Sequence, residues 1–381
     1  MRLRQRPLLK NNRPSQNVRR LPSRLLPQER WSDPVLLLTL RDLRHRFTRF
    51  SIVTLVAAVV FALLFLMNGL VEQFHREPID TTRSFGAEQW VLATGSAGPF
   101  TSSASVNASG IAQLEAKVKS PIVVARATLH KDRESLEVVI IGHVPGALGT
   151  PKIVSGRAVK DPHEIVADRS LSTRIGDTVE LGPVRYRVVG LTSHATVLAG
   201  VPLAYVGLGE AQDMVFGSRE VVTGFLITGA VGALPPGSAL RSNAEVADDT
   251  FHPLKNAIAS VDLVRALLWL VAAVIIGAVV FLSALERQRD FAVLKAVGST
   301  NGKLAGGLAI QAVIVALVAV LLAAGLQVLL RPAFPLRIRV PDADFWRVPL
   351  LASLTSLAAA AAGMRSVVRT DPASAFAGAG G

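Results

Sequence analysis

Cysteine is absent from this 381-residue sequence, so disulfides cannot stabilise any part of it. Charged residues are also scarce, at 18%, whereas half of all residues are hydrophobic and the mean hydropathy is +0.41. An ordinary soluble enzyme is excluded when so apolar a composition is clustered in long runs. The clustering described below therefore indicates an integral membrane protein.

Motifs of covalent and metal catalysis are missing as well. The seven histidines, the acidic residues and the serines form no HExxH, no GxSxG and no close metal-ligand spacing. The nearest approach to a phosphate-binding P-loop, at residues 298–304, is one residue short and has leucine where a magnesium-binding hydroxyl is needed. We therefore expect no enzyme activity, no metal and no cofactor in this chain.

Four long uncharged runs are present instead. An α-helix needs about 20 apolar residues to cross the hydrocarbon core of a bilayer, and each run approaches or exceeds this length. The shortest run contains a proline near its start, where the missing N–H does little harm. The predicted spans lie within residues 33–71, 263–285, 304–330 and 348–368.

The linker between the second and third spans, residues 286–303, sets the orientation of the chain. It is short and rich in lysine and arginine, and such loops stay on the cytoplasmic side. The tails at residues 1–32 and 369–381 are then cytoplasmic too, and the 331–347 loop lies outside. That outer loop has four arginines and two aspartates, whereas lysine and arginine are usually enriched in cytoplasmic loops. This preference is a statistical one, and the 286–303 linker decides the predicted orientation.

The formal charge of +13 is concentrated at the N-terminus. Residues 1–50 hold 13 basic and 3 acidic side chains, and residues 1–32 lack apolar periodicity, so we expect a disordered cytoplasmic tail rather than a nucleic-acid-binding segment. From residue 33, apolar side chains recur at helical spacing with arginines between them. This pattern indicates an amphipathic helix at the inner membrane surface, or simply the positively charged flank of the first span. The residues concerned are Arg41, Leu43, Arg44, Arg46 and Phe47.

Residues 72–262 have a different pattern. Short apolar runs alternate with glycine, proline and aspartate clusters, which predicts a mixed α/β domain outside the cytoplasm, large enough to have its own core. Two uncharged windows, residues 188–209 and 221–240, contain prolines and are interpreted as buried strands and loops rather than spans. A short helix is predicted at residues 111–118. Strands are predicted at residues 137–141, 165–167, 178–181 and 186–191.

The charged linker carries a recognisable motif. Residues 286–299, ERQRDFAVLKAVGS, resemble the cytoplasmic segment of ABC transporter permeases of the MacB, LolC/LolE, DevC and FtsX group. Asp290 takes the place of the glutamate that is usual there. The matching residues are Glu286, Arg287, Leu294, Lys295, Ala296 and Gly298.

Two further segments support this resemblance. Residues 369–373 look like the closing signature of the same group of permeases. Residues 156–191 are similar to part of the extracytoplasmic domain of MacB-type members, and Gly176, Asp177 and Gly190 fall at the turn positions of that family. The resemblance thus touches both ends and the middle of the chain.

The resemblance implies a non-catalytic permease subunit in a bacterial inner membrane, paired with a second copy of itself. A separate cytoplasmic ATPase dimer would bind ATP and magnesium, and its closure would move the extracytoplasmic domain to export or extract a lipid, lipopeptide, drug or peptide. An extracytoplasmic adaptor is a further possible partner. The alternative is an FtsX-type mechanotransmission subunit that controls a cell-wall hydrolase.

In this family the linker is a coupling helix that contacts the ATPase. Its charged side chains offer an orientable surface, its apolar side packs in a groove, and the glycine at its end lets the chain turn back. The alternative is an inner-surface helix that merely anchors two spans. The expected coupling residues are Glu286, Arg287, Arg289, Asp290, Leu294, Lys295, Ala296 and Gly298.

Overall fold

The computed structural model describes residues 47–286, 300–334 and 338–368 of the chain. In this part of the chain, four helices are long and apolar enough to cross a membrane, and a mixed α/β domain lies between the first and the second. The predicted fold class is therefore confirmed. The helices are α1 (Phe47–Ser84), α2 (Leu208–Phe216), α3 (Asn243–Phe251), α4 (Lys255–Glu286), α5 (Asn301–Leu330) and α6 (Asp344–Val368), of which α1, α4, α5 and α6 are the four long ones.

Small side chains bring the four long helices together. On α5, buried alanines recur every three or four residues and form a stripe along one side of the helix. Close approach of helix backbones through such stripes is typical of membrane proteins, where apolar surface alone does not drive association. Phe61 and Phe65 of α1 fill the remaining space, while Leu321 and Leu329 of α5 are about three-quarters exposed, as lipid-facing residues are. The alanine stripe consists of Ala312, Ala316, Ala319 and Ala323.

The first helix extends well beyond its apolar run. The uncharged run ends at Val71, but α1 continues to Ser84 with Pro78 inside it. A helix of 38 residues is about 57 Å long, whereas the hydrocarbon core is about 30 Å thick. The outer part of α1 is therefore a stalk that projects from the membrane into the α/β domain.

The strands of the domain form one large mixed sheet and one small ribbon. The order in the large sheet is β13-β1-β12-β3-β4-β10-β6-β8-β5, with β7 between β3 and β8, and β9 beside β10; β2 and β11 form the ribbon. The strands are β1 (Gln89–Ala93), β2 (Val106–Asn107), β3 (Val118–Lys131), β4 (Glu134–His143), β5 (Ser155–Gly156), β6 (Glu164–Asp168), β7 (Thr178–Leu181), β8 (Val184–Thr192), β9 (Thr196–Val197), β10 (Val201–Gly207), β11 (Val221–Val222), β12 (Gly224–Thr228) and β13 (Ser238–Ser242).

Six of these strands close into a small barrel. Pairing runs from β3 through β4, β10, β6, β8 and β7 and returns to β3. Alternate side chains point inward, so Leu129, Ile140 and Val188 belong to one buried cluster, and their neighbours Val139 and Val189 belong to another on the outer side. The strands β12, β1 and β13 continue from β3 as an open sheet outside the barrel.

The four predicted strands are all confirmed, since each lies within an observed strand: β4, β6, β7 or β8. The two ambiguous windows are also confirmed as domain elements, with β8 to β10 in the first and β11 to β13 in the second. Neither window is among the helices that could span a membrane in the described residues.

The predicted short helix at residues 111–118 is wrong. A 3-10 helix of five residues, Ala108–Ala112, ends where the predicted helix would begin, and β3 starts at Val118. The Lys119 ammonium donates to the carbonyls of Ile111 and Leu114, at 2.7 and 2.6 Å, and so satisfies acceptors that a continuing helix would have used.

The turn assigned to Gly190 is also wrong, because Gly190 lies inside β8. A Cβ atom there would collide with the carbonyl oxygen of Arg157, so the strand requires glycine for close approach of two backbones. Gly176 does lie in a turn, with a φ of +97°.

Candidate functional site

The predicted coupling linker is described only at its two ends. Glu286 is the last residue of α4, and Thr300 immediately precedes α5. These ends lie at the opposite end of the helices from the α/β domain, because α4 leads away from that domain and α5 leads back. The predicted sites Arg287, Arg289, Asp290, Leu294, Lys295, Ala296 and Gly298, with Arg41, Leu43, Arg44 and Arg46, lie outside the described residues, and Phe47 is the first residue of α1.

A polar contact joins α4 and α5 close to this linker. The Gln311 side chain donates from Nε2 to Ser283 Oγ at 3.1 Å, and both residues are buried. Ser283 is less than one helical turn from Glu286. Polar side chains inside a membrane are costly to bury and hydrogen-bond across helices, so this contact ties the last turn of α4 to α5 about three turns after α5 begins.

At the other end of the helices, a buried carboxylate clamps the stalk of α1 to the domain. Glu77 is only 4% exposed. Its carboxylate accepts hydrogen bonds from the backbone N–H of Ala199, at 2.8 Å, and of Gly200, at 3.0 Å, and from the Thr196 hydroxyl. One turn further along α1, the Thr81 hydroxyl donates to the Thr196 carbonyl at 2.6 Å. The stalk is thus attached to one loop of the domain by four hydrogen bonds.

That loop, residues 194–200, includes the two-residue strand β9 and has a backbone that needs external support. His194, Leu198 and Ala199 have φ values of +62°, +53° and +66°, in the left-handed region that residues other than glycine seldom occupy. Such conformations persist only where surrounding contacts impose them. The Glu77 carboxylate supplies those contacts from the membrane side.

The Asp168 carboxylate holds the same loop from the barrel side. Asp168 ends β6 and is 2% exposed. Its Oδ2 accepts from the backbone N–H of Ala195 at 2.9 Å and from the Thr192 hydroxyl at 3.1 Å. A continuous set of hydrogen bonds therefore runs from α1, through Glu77 and the 194–200 loop, to a barrel strand.

A second contact to α1 comes from the segment that precedes α6. Residues 338–340 cross α1 at Gly69, where a Cβ atom would lie 2.5 Å from Ile338 Cγ2 and 3.1 Å from the Val340 nitrogen. We call this segment the outer strap. Within the strap, Ile338 and Val340 are buried in the same apolar cluster as α1, and the Arg339 guanidinium lies 4.0 Å from the Asp80 carboxylate on the stalk.

The points where the chain enters and leaves the domain are fastened to each other. The strands β1 and β13, which follow α1 and precede α3, are paired along their whole length. The Asn243 side chain accepts from Trp90 Nε1 at 2.7 Å and donates to the Ala87 carbonyl at 2.7 Å. A capping box between Ser242 and Glu245 then starts α3.

This arrangement connects a membrane helix to the barrel through hydrogen bonds. Within the described residues, no group of three or more His, Cys, Asp or Glu side chains could hold a metal ion. The carboxylates of the junction, Glu77 and Asp168, are already engaged in hydrogen bonds to the loop between them. Their geometry suits a mechanical connection between helix and barrel.

Sequence reasoning did not identify the Glu77 clamp. Its partners lie 119 to 123 residues further along the chain, in a loop with no distinctive pattern. The available signal was weak, because Glu77 is one of three acidic residues, with Glu72 and Asp80, that follow the apolar run, and acidic residues are common at the end of a span.

Comparison with known proteins places the chain in a family. Residues 263–372 match the family description "FtsX-like permease C-terminal". The "Uncharacterized ABC transporter permease Rv2563" of Mycobacterium tuberculosis (strain ATCC 25618 / H37Rv) is 35% identical over 348 residues, which is 90% of this chain and 100% of that protein. A second permease of that strain, Rv0072, is 33% identical over the same shares.

Two solved extracytoplasmic domains are also similar. The extracellular domain of the noncanonic ABC-type transporter YknZ from Gram-positive bacteria has 15% identity and a TM-score of 0.29, and the match covers 36% of this chain and 81% of that one. The periplasmic region of MacB from Actinobacillus actinomycetemcomitans has 12% identity and a TM-score of 0.33, covering 45% and 96%.

The relatives and the four apolar helices define a class of protein, the membrane-spanning subunits of ABC transporters. Within that class, the chain belongs to the FtsX-like permeases. Membership implies a cytoplasmic ATPase partner and a non-catalytic membrane subunit.

Proposed function

We propose that this permease couples ATP hydrolysis by a separate ATPase to movement of its extracytoplasmic domain, and so exports or extracts a substrate such as a lipid, lipopeptide, drug or peptide. The observation that carries the proposal is the Glu77 clamp. One unbroken helix, α1, extends through the membrane and is bonded directly to a loop of the domain. Any tilt or shift of α1 therefore acts on the barrel.

Movement would enter at the linker, residues 286–303. Closure of the ATPase dimer on ATP would press on the coupling residues, with Glu286, Asp290 and Lys295 giving a charged contact and Leu294 an apolar one. The Gln311 to Ser283 hydrogen bond would make α4 and α5 respond together. The outer strap, which follows α5, would pass the movement to α1 at Gly69.

The remaining parts of the proposal follow from the family. The permease would pair with a second copy in a bacterial inner membrane, with both termini in the cytoplasm and an extracytoplasmic adaptor as a further partner. ATP and magnesium would be bound by the ATPase alone.

The Glu77 clamp favours a second function as well, that of an FtsX-type subunit that moves its domain to control a cell-wall hydrolase. The clamp would make the domain move with α1, and this movement could act either on a transported molecule or on a bound hydrolase. ATP-dependent movement of a lipid or drug in reconstituted vesicles supports transport. Its absence, together with a hydrolase bound to the domain, supports mechanotransmission.

The coupling linker is tested by Leu294→Asp and Glu286→Lys in the complex with the ATPase. We expect each change to reduce copurification of the ATPase and its stimulated turnover severalfold while thermal unfolding stays unchanged. Glu180→Lys is the matched control, since Glu180 is 46% exposed on the domain surface. Unchanged copurification and turnover in both linker variants would contradict the proposal.

A further inference from the structure

Strand β3 leaves part of one edge without a partner. On one side it pairs with β4 over residues 123–131. On the other side it pairs with β12 through residues 118–122 and with β7 at residues 129 and 130, because β12 belongs to the open sheet and β7 to the barrel. Residues 125–128 lie between these two partners, and this gap of four residues is about 13 Å long.

The backbone of Arg126 and Thr128 is directed into this gap. The Val124 N–H donates to Thr223 Oγ1 at 2.9 Å, on the β12 side of the strand. Alternate residues of a strand present their N–H and C=O groups to the same edge, so those of residues 126 and 128 face the same side as those of Val124. Among the described residues, no strand is paired with them there.

A cleft of about 540 Å³, within the size range of small-ligand sites, lies at the first half of this gap, where Ala125 and Arg126 line it. Its lining combines hydroxyl side chains, those of Thr101, Ser102, Ser103 and Thr223, with apolar side chains on both faces of the sheet. Phe100 and Val139 belong to the outer face, and Val215 and Phe216, at the end of α2, to the face that carries the barrel interior. An extended chain along the edge would place alternate side chains against these two walls.

The cleft has a basic side chain in its lining. Arg126 is the one charged residue among those that line it, and its side chain is 55% exposed. Its acidic neighbour, Glu137, is 57% exposed and lies 3.7 Å away, which makes a loose surface pair that contributes little. An incoming carboxylate can replace Glu137 at modest cost.

We propose that this cleft binds an extended segment of an extracytoplasmic polypeptide, by adding a short strand to the free edge of β3. The backbone at residues 126 and 128 would exchange hydrogen bonds with the segment. Apolar side chains of the segment would contact Phe100 and Phe216, and an acidic side chain would pair with Arg126. Strand addition of this kind draws affinity from main-chain bonds and specificity from alternate side chains. The proposal goes beyond the coupling function and does not depend on the ATPase.

Three fluorescent pentapeptides test the proposal with the full chain in lipid nanodiscs. The first is acetyl-Ala-Val-Asp-Val-Ala-amide, the second has Lys in place of Asp, and the third is the first with all five residues N-methylated, so that no backbone N–H remains to bond the strand edge in either orientation. We expect saturable binding of the acidic peptide, and at least tenfold weaker binding of the Lys and N-methylated peptides. Arg126→Glu should invert the preference between Asp and Lys. Arg185→Glu, at a residue 78% exposed and outside the cleft, should change nothing.

Absence of saturable binding by the acidic peptide overturns the proposal. Equal binding of the N-methylated peptide also overturns it, because the cleft would then take apolar ligands without using the strand edge. If Arg126→Glu fails to fold, Arg126→Gln takes its place, and an unchanged ratio between the Asp and Lys peptides in that variant would refute the role of the guanidinium.

Discussion

At the scale of single residues, the buried Glu77 carboxylate connects α1 to the 194–200 loop. A carboxylate removed from water is destabilising unless donors replace the lost hydration. Here two backbone N–H groups and one hydroxyl do so, and they come from a loop that is itself conformationally strained. Carboxylate and loop therefore depend on each other.

Replacement of Glu77 by alanine should break this junction. We expect the domain to lose about 2–3 kcal/mol of stability, because hydrogen bonds to a charged group are removed and their donors are left buried. ATPase binding should persist while substrate movement falls. Thermal unfolding and turnover of the reconstituted complex measure the two effects.

Glu180→Ala is the control for Glu77→Ala, since Glu180 forms a largely exposed pair with Arg185 and should contribute less than about 1 kcal/mol. Equal effects of the two changes, or loss of ATPase binding in the Glu77 variant alone, would contradict a relay through Glu77.

Glu164 makes the folding stability of the domain depend on pH. The Arg157 guanidinium donates to this carboxylate at 2.6 Å, as do the backbone N–H groups of Lys160 and Asp161 at 3.0 and 3.2 Å. The hydrogen bond from Arg157 lowers the pKa of Glu164 from about 4.5 to about 2, although burial acts in the opposite direction. A carboxyl with a lowered pKa stabilises the fold fully above pH 4.5, and this stabilisation is lost as the pH falls towards 2.

Glu164→Gln should remove that dependence. Between pH 4.5 and 2, the unfolding temperature of the wild-type domain, followed by the fluorescence of buried Trp90, should fall more steeply than that of the variant. Above pH 5 the two slopes should agree. Parallel curves through the acid range would show that this ion pair does not link protonation to folding.

At the scale of elements, the close crossing at Gly69 fixes the outer strap to α1. Glycine inside a helix is normally a weakness, because alanine has a better helix propensity by about 1 kcal/mol. At residue 69, however, a methyl group would meet Ile338 and the backbone of Arg339 and Val340. The strap would have to move outward.

We predict that glycine-to-alanine substitutions at residues 69 and 325 have different effects on the unfolding temperature. Gly69→Ala should lower the unfolding temperature, since overpacking costs about 1–3 kcal/mol. Gly325→Ala should leave it unchanged or raise it, because no atom lies within 4 Å of a Cβ at residue 325. Thermal unfolding in detergent micelles compares them, and a gain in both variants would show that the strap adapts freely.

Elements differ in how far the sequence predicts them. The spans follow from uninterrupted apolar runs, and the strands β4, β6, β7 and β8 from local alternation, because these signals are contained in the elements themselves. The stalk was not predicted, since residues 72–84 are mostly polar and their partners are distant in sequence: the loop at 194–200, which is bonded to Glu77 and Thr81, and Arg339, which lies near Asp80. Closure of the barrel depends on β7 meeting β3 some 50 residues earlier, and no local pattern encodes that meeting.

At the scale of the whole molecule, the topology itself is open to test because the natural chain has no cysteine. Single cysteines at Asp290, Thr300 and Glu134 should react differently with a membrane-impermeant maleimide on intact cells. The domain position, Glu134→Cys, should label directly, whereas the two linker positions should label only after permeabilisation. External labelling of Asp290→Cys or Thr300→Cys would reverse the topology and end the coupling proposal.

The pairing of β1 with β13 has a consequence for the way a load reaches the domain. Both connections to the bilayer leave from the same end of this ladder, at Gln89 and Ser242. If α1 and α4 were pulled apart, the hydrogen bonds between β1 and β13 would break one pair at a time from the Gln89–Ser242 end, so the resistance to separation would be weak. If the two helices move together, no pair is loaded and the barrel moves as a rigid body. The domain is therefore suited to follow a shared displacement of α1 and α4, and separation of the two helices would unpair its terminal strands.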